Sequence, residues 1–192
     1  MKKIIVARYN ENIDWTKQFG NVLIYNKGEK IEEIEYEQIM ADNVGREGHT
    51  YYKYICDNYD KLEDYTVFLQ GNPFDHSPDL IKNLRKYIDD LELDIEFEYI
   101  SEIMHHSTLL FEKILCGKTT INIDDTYEKL FGPIHGVDKE MIFGAGAQFI
   151  VSKRRILKRP KEFYEKIVKM LEYDISPDEG YHIERLHKYI LA

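Results

Sequence analysis

Residues Tyr65 to Asp79 read YTVFLQGNPFDHSPD. A β-favouring apolar run, Thr66 to Leu69, passes without a spacer into Gln70-Gly71-Asn72-Pro73, then Asp75-His76. Ser77-Pro78 follows as a helix start, a capping residue with proline at the first helical position. The stretch therefore predicts a buried strand, a polar turn and a helix. An ordinary loop explains the turn; so does a ligand site at the carboxyl end of a sheet strand.

The same alternation extends in both directions. Ile4–Ala7 and Val22–Tyr25 are short apolar runs followed by turn signals and are read as buried strands. Asp94–Tyr99 (DIEFEY) alternates strictly, the pattern of a strand with one wet face. Gln148–Val151 is a fifth strand candidate, behind the small-residue run FGAGA. Between them lie helical stripes: Tyr52, Ile55, Cys56 and Tyr59; Ile81, Leu84, Ile88 and Leu91; Phe163, Ile167, Met170 and Leu171 after Pro160; Ile183, Leu186 and Ile190 after Ser176-Pro177. Residues Met104–Leu115 read as helical. Strands alternating with helices predict an α/β/α sandwich on a mostly parallel mixed sheet, with residues 1–192 as a single domain.

Composition narrows the function classes. The 192 residues are 43% hydrophobic and 13% aromatic, enough for a substantial core, and no run approaches the ~20 apolar residues of a membrane span. The apolar stretch near MKKIIVARYNE is too short for a signal peptide. Cys56 and Cys116 lack metal-site spacing and read as reduced thiols of a soluble, cytoplasmic protein. A formal net charge of −9 argues against nucleic acid as a partner.

Against that acidic background, cations gather at predicted strand ends. Arg8 (in Arg8-Tyr9-Asn10-Glu11), Lys27 (in Asn26-Lys27-Gly28) and Arg46 (in Asn43-Val44-Gly45-Arg46-Glu47) would form a pocket for a diphosphate. Solvated charges paired with nearby acids are the plainer account of each. Asp75, just past a buried strand, is placed to hold a divalent metal, with His76 as a second ligand; an Asx-type turn would use Asp75 equally well. His105-His106 has no partner at metal spacing. Gly144, Ala145 and Gln148, in Phe143-Gly144-Ala145-Gly146-Ala147-Gln148, precede a strand rather than a helix, so they do not form a dinucleotide fingerprint; they leave room for a ligand or for close backbone packing. Ser176-Pro177-Asp178-Glu179 reads as a capping box. Glu179, His182 and Glu184 on the following helix are candidate acid–base groups.

IIVARYNENIDW, VLIYNKG, NVGREGHTYYKYICDNYDKLEDYTVFLQGNPFDH, GAGAQFIVSKRRILKRPKEFYEKI and GYHIERLHKYI together resemble a domain family of unknown function found in fungal, bacterial and large-virus proteins. That family looks like a compact relative of the glycosyltransferase A fold, and the chain is similar to a viral glycosyltransferase domain that decorates capsid glycans. The resemblance implies a nucleotide-sugar donor, an acceptor hydroxyl on a glycan or other molecule, and Mn2+ or Mg2+ as cofactor. It implies that Ala7, Arg8, Tyr9 and Asn10 contact the base and ribose, with Asn26, Lys27 and Gly28 beside them. The Asn43–Arg46 turn would approach the diphosphate or sugar. The family fold's Asp-x-Asp should follow the Thr66 strand; here Gln70-Gly71-Asn72 occupies those positions and Asp75 arrives late. Glycosyl transfer is the expected activity. Two alternatives stand beside it: a non-catalytic nucleotide- or glycan-binding module, and a metal-dependent hydrolase using Asp75, His76 and His182.

Overall fold

The computed structural model describes residues 1–32, 35–108, 114–116, 119–121, 123–133 and 140–191. For 107, 108, 114–116, 119–121 and 140 the description is of the backbone alone. The centre is a six-stranded sheet, ordered β3-β2-β1-β4-β10-β5. Its strands are β1 (Lys2–Arg8), β2 (Val22–Asn26), β3 (Glu37–Met40), β4 (Tyr65–Gln70), β5 (Phe97–Tyr99) and β10 (Phe149–Ser152). The first four run parallel; β10 is antiparallel to both β4 and β5. The protein is thus mixed α/β with a mostly parallel sheet.

Side-chain alternation along the strands builds two cores. Ile5, Leu23, Phe68, Phe149 and Val151 face α1 (Arg46–Asn58), α5 (Lys161–Leu171) and α6 (Asp178–Ile190). Ile4, Val6, Val22, Ile24, Val67, Leu69 and Ile150 face the other way, onto α2 (Leu80–Ile88) and the 3-10 turn Asp14–Gln18. The first core is aromatic: Phe68 and Phe149 lie 5.2 Å apart by ring centroid, and the His187 ring lies 4.7 Å from Phe149. His187 Nδ1 shares a hydrogen bond of 2.7 Å with the Tyr52 hydroxyl, so one polar pair is satisfied deep in that layer.

Several local expectations are corrected. Met104–Leu115 is not helical: β6 (Met104–Thr108) pairs antiparallel with β9 (Glu140–Gly144), and β7 (Ile114–Cys116) pairs with β8 (Thr119–Ile121); 109–113 lie outside the described residues. Cross-strand pairing outweighs the apolar spacing there. The DIEFEY strand is confined to Phe97–Tyr99. α2 begins at Leu80 with Asp79 as its N-cap; the Ser77 hydroxyl donates instead to the Ile100 carbonyl. Leu91 lies beyond the helix and is 97% exposed. The capping box at Ser176 does not form either: Pro177 is the N-cap, and Glu179 accepts a 2.6 Å hydrogen bond from the Tyr173 hydroxyl. Strand β3 and helix α3 (Ile123–Phe131) had no counterpart among the sequence expectations. Cys56 is a buried free thiol; the side chain of Cys116 lies outside the description. Among the described residues, no helix is long and apolar enough to cross a membrane.

Burial keeps three imidazoles neutral. His187 is pushed down to about 3, and His49 and His182 to about 4, in each case chiefly by desolvation. All start from 6.5 in the unfolded chain. Between those values the unfolded state binds protons that the folded state refuses, so stability falls as pH drops below 6.5. Each histidine contributes a slope of up to ~1.4 kcal/mol per pH unit. Urea unfolding at pH 7 and pH 5 should show a lower midpoint at pH 5, and His187→Gln should flatten the difference; equal midpoints for the unsubstituted protein would contradict the buried neutral state.

Candidate functional site

The parallel strands end together. Register pairs Arg8 with Asn26 and Asn26 with Met40, while Ala7 pairs with Gln70. Connections leave β1 toward β2 and β3 on one side, and β4 lies on the other, so chain order reverses between β1 and β4. A crevice at the carboxyl ends beside such a reversal is the usual ligand position in open α/β sheets. A cavity of about 600 Å³ occupies that position. Ala7, Arg8, Tyr9 and Glu11 line it from the end of β1, and Lys27 from the end of β2. Gln70, Gly71, Asn72 and Asp75 contribute from the β4 turn, and Asn43, Arg46 and Glu47 from the start of α1. Ile175 and Ser176 close it from the α5–α6 loop.

The cavity wall is stiffened by its own polar groups. Arg8 is only 9% exposed. Its Nη1 donates to Asn26 Oδ1 at 2.8 Å and to the Tyr9 and Glu29 carbonyls, and its Nε to the Glu11 carbonyl. Asn26, fully buried, donates to the Glu29 carbonyl and to Gln38 Oε1, both at 2.7 Å. Arg8 and Asn26 therefore bind the β1 and β2 loops to each other. Asn10 Oδ1 accepts from the Glu29 amide, and Gly28 lies so close that a Cβ there would stand 1.8 Å from the Tyr9 carbonyl oxygen. Lys27 Nζ donates to the Val44 and Arg46 carbonyls, tying β2 to the first turn of α1. Burial lowers its ammonium to about 8. Gly45 and Arg46 both take the left-handed conformation, φ 63° and 51°. The Gly45 and Arg46 amides donate to the Asp174 and Ile175 carbonyls. That sharp turn brings the α5–α6 loop to the cavity.

Charge in the cavity is balanced rather than cationic. Arg8, Lys27 and Arg46 meet Glu11, Glu47 and Asp75. Arg46 Nε lies 3.7 Å from Glu47 Oε2, and its guanidinium stacks 4.1 Å above the Tyr181 ring. Glu11 Oε2 accepts from the Tyr9 amide at 2.7 Å. Asp75 is exposed and accepts from Asn72 Nδ2 at 3.3 Å. The Tyr9 ring, 50% exposed, offers a flat apolar face at the mouth.

The remaining candidates divide. His76 does not line the cavity, and its Nδ1 is buried with no hydrogen-bond partner among the described residues. No three His, Cys, Asp or Glu side chains among the described residues come together as a metal site, and His76 does not stand beside Asp75 in the cavity wall. The trio Asp75, His76 and His182 does not assemble either; His182 Nδ1 instead shares a 2.6 Å hydrogen bond with Thr126 of α3. Gly144, Ala145 and Gln148 serve packing: Ser101 Oγ donates to the Ala145 carbonyl, and Gln148 Nε2 to the Pro73 carbonyl behind the β4 turn. Glu184 stands behind the cavity, its Oε1 accepting from the Gly146 amide at 2.8 Å. Burial, and then the charge of Glu47, hold its carboxyl above the usual range.

Glu11 and Glu47 are wall residues that the cation-centred reading passed over, although both sit inside the strand-end stretches. Ile175 carries no local signal and Ser176 reads only as a helix cap; the backbone bonds from Gly45 and Arg46 to the Asp174 and Ile175 carbonyls bring that loop in. Over residues 4–192 the chain matches a family described as a protein of unknown function (DUF3431), and it belongs to that family. No curated protein and no solved structure matches it.

The close approach at Gly28 gives a direct test. Gly28→Ala should force the Tyr9 loop outward and cost ~1–3 kcal/mol, read as a lower urea midpoint. An unchanged midpoint would mean that the two loops are not held together as described.

Proposed function

We propose that the chain is a glycosyltransferase that binds a nucleotide-sugar donor in the 600 Å³ cavity and passes the sugar to the hydroxyl of a glycan or other acceptor. One observation carries the reading: nine residues expected at the donor or its metal from sequence, Ala7, Arg8, Tyr9, Lys27, Arg46, Gln70, Gly71, Asn72 and Asp75, line one cavity at the sheet's reversal point. A parallel sheet with one reversed strand, β10, is in keeping with a glycosyltransferase-A-like fold.

Each part of the donor has a chemical counterpart. The exposed face of Tyr9 suits stacking with a nucleobase. Lys27 has three N–H donors, and the Val44 and Arg46 carbonyls take two of them. The ammonium and the Arg46 guanidinium would offset charge growing on a departing diphosphate. Asn43, Asn72 and Asp75 supply groups able to bond sugar hydroxyls. A divalent cation carried by the donor's phosphates would find Asp75 in the cavity wall as a protein ligand, since such ions take one or two carboxylates beside phosphate oxygens.

A binding module without turnover is the second reading. Its support is the even charge balance and the engagement of Arg8 and Lys27 with carbonyls.

Uridine or guanosine diphosphate should raise the melting temperature. At a hundredfold excess over Kd the stabilisation is about 2.7 kcal/mol, or roughly 5–10 °C for a chain of this size. Asp75→Ala should abolish any additional rise produced by manganese. No shift with any nucleotide would overturn the transferase reading and leave a binding module for glycans alone. Binding without release of sugar or nucleoside diphosphate across a donor panel would select the binding module.

A further inference from the structure

A second hollow adjoins the turn that enters α1. Asn43, Arg46 and Glu47 line the strand-end cavity, whereas Asp42, His49, Thr50 and Lys53 line a separate cavity of about 490 Å³ between α1 and the edge strand β3. Ile39 and Met40 of β3 form its apolar side, Met40 being 49% exposed, and Tyr25 of β2 completes the floor with Thr50. Tyr25, Ile39 and Asp57 also line an adjoining hollow of about 330 Å³ that reaches Glu37 and Tyr54. Together they make one groove along β3, from Glu37 to Asp42, roughly 17 Å at ~3.3 Å per residue.

Two hydroxyls in this groove are left without partners. Tyr25 is 2% and Thr50 1% exposed, yet neither hydroxyl has a hydrogen bond among the described residues. A helical threonine can bond the carbonyl four residues back. For Thr50 that is Arg46, whose carbonyl already accepts from Lys27 Nζ. Buried tyrosine hydroxyls usually find a partner, as Tyr52 does in His187 and Tyr164 in the Ile156 carbonyl. A bond left unmade costs stability in the empty protein, and a ligand that supplies the partner recovers it.

The lining selects the ligand's charge. Lys53 is the one ammonium among the residues of the 490 Å³ cavity, and it is paired with Asp57 at 2.6 Å. Asp42 stands at one end, and burial keeps the His49 imidazole neutral. An anion would therefore meet two carboxylates and an ammonium already engaged. A metal ion would find no group of three His, Cys, Asp or Glu side chains among the described residues. A molecule with several uncharged hydroxyls matches instead. Each of its hydroxyls both donates and accepts, as those of Tyr25 and Thr50 do, and the Asp42 carboxylate accepts. Its C–H faces would rest on Ile39 and Met40, and the cavity volume is that of ordinary ligand pockets.

We propose that this groove is a second binding site, for a neutral oligosaccharide, in which the Tyr25 and Thr50 hydroxyls bond a sugar lying between Met40 and α1. The inference does not rest on the nucleotide-sugar reading of the strand-end cavity.

NMR on the full chain tests it, with neutral di- to tetrasaccharides of glucose, galactose, mannose and N-acetylglucosamine as probes. Saturation transfer to the sugar should be accompanied by shifts of the backbone amides at 39–42 and 49–53. Thr50→Val and Tyr25→Phe should each weaken binding ~2- to 10-fold, the worth of one neutral hydrogen bond. Neither should lower the urea midpoint, because each removes a group that has no partner. Should Tyr25→Phe fail to fold, Thr50→Val decides. Excess uridine diphosphate should leave the saccharide signals in place; displacement would put the sugar in the strand-end cavity and overturn the assignment. So would binding indifferent to the substitutions, preference for glucuronic acid or glucose 1-phosphate over the neutral sugars, or no binding by any probe. Failure of uridine diphosphate itself to bind bears on the donor reading alone.

Discussion

Strand β1 is hydrogen-bonded on both edges and buried on both faces, and the rest of the molecule takes its positions from it. Ile4 and Val6 fill one core, Ile5 the other, each at most 1% exposed. A slip of one residue against β2 or β4 would exchange the two sets and put residues shaped for one layer into the other. That double constraint sets where the strand stops. It therefore sets where Ala7, Arg8 and Tyr9 emerge, and places them beside Asn26 and Gln70.

The rim shows how polar groups divide between holding a site and serving it. Arg8, Asn26 and Asn10 satisfy backbone groups of neighbouring loops, and Lys27 does so across to α1. Buried polar atoms are costly unless partnered, so these contacts fix the loops in one arrangement. Tyr9, Asn43, Asn72 and Asp75 point their chemistry at the cavity instead. A wall whose geometry is already set loses less entropy when a ligand arrives.

Most of the residues that sequence reading brought to the cavity follow closely on a strong apolar strand, so local pattern and a general rule of parallel sheets suffice to locate them; Arg46 instead opens the helix that carries the Tyr52 stripe. What escaped lacked one or the other. β3 is a four-residue edge strand with the sequence EQIM, whose half-exposed pattern carries little periodic signal. β6, beginning with Met104-His105-His106, owes its form to pairing with a partner some 35 residues away in the chain. Asp75 was legible as a strand-end carboxylate, but the number of donors around it was not. Glu184 was legible only as one acid on a helix; its hydrogen bond from the Gly146 amide joins residues 38 apart in the chain. Glu179 carries the same local signal, yet the helix start turns it toward Tyr173.

Strand β10 runs against its neighbours and seals the edge of β4, with Ile150 opposite Val67 and Phe149 opposite Phe68. During synthesis, β1, β2 and β4 leave the ribosome long before residue 149 does. Through that interval the growing polypeptide presents an open, apolar β4 edge, the kind of template that recruits neighbouring chains. Productive maturation in the cell therefore hinges on delivery of β10, and slow translation through the 101–140 region would lengthen the period in which a chaperone has to shield that edge.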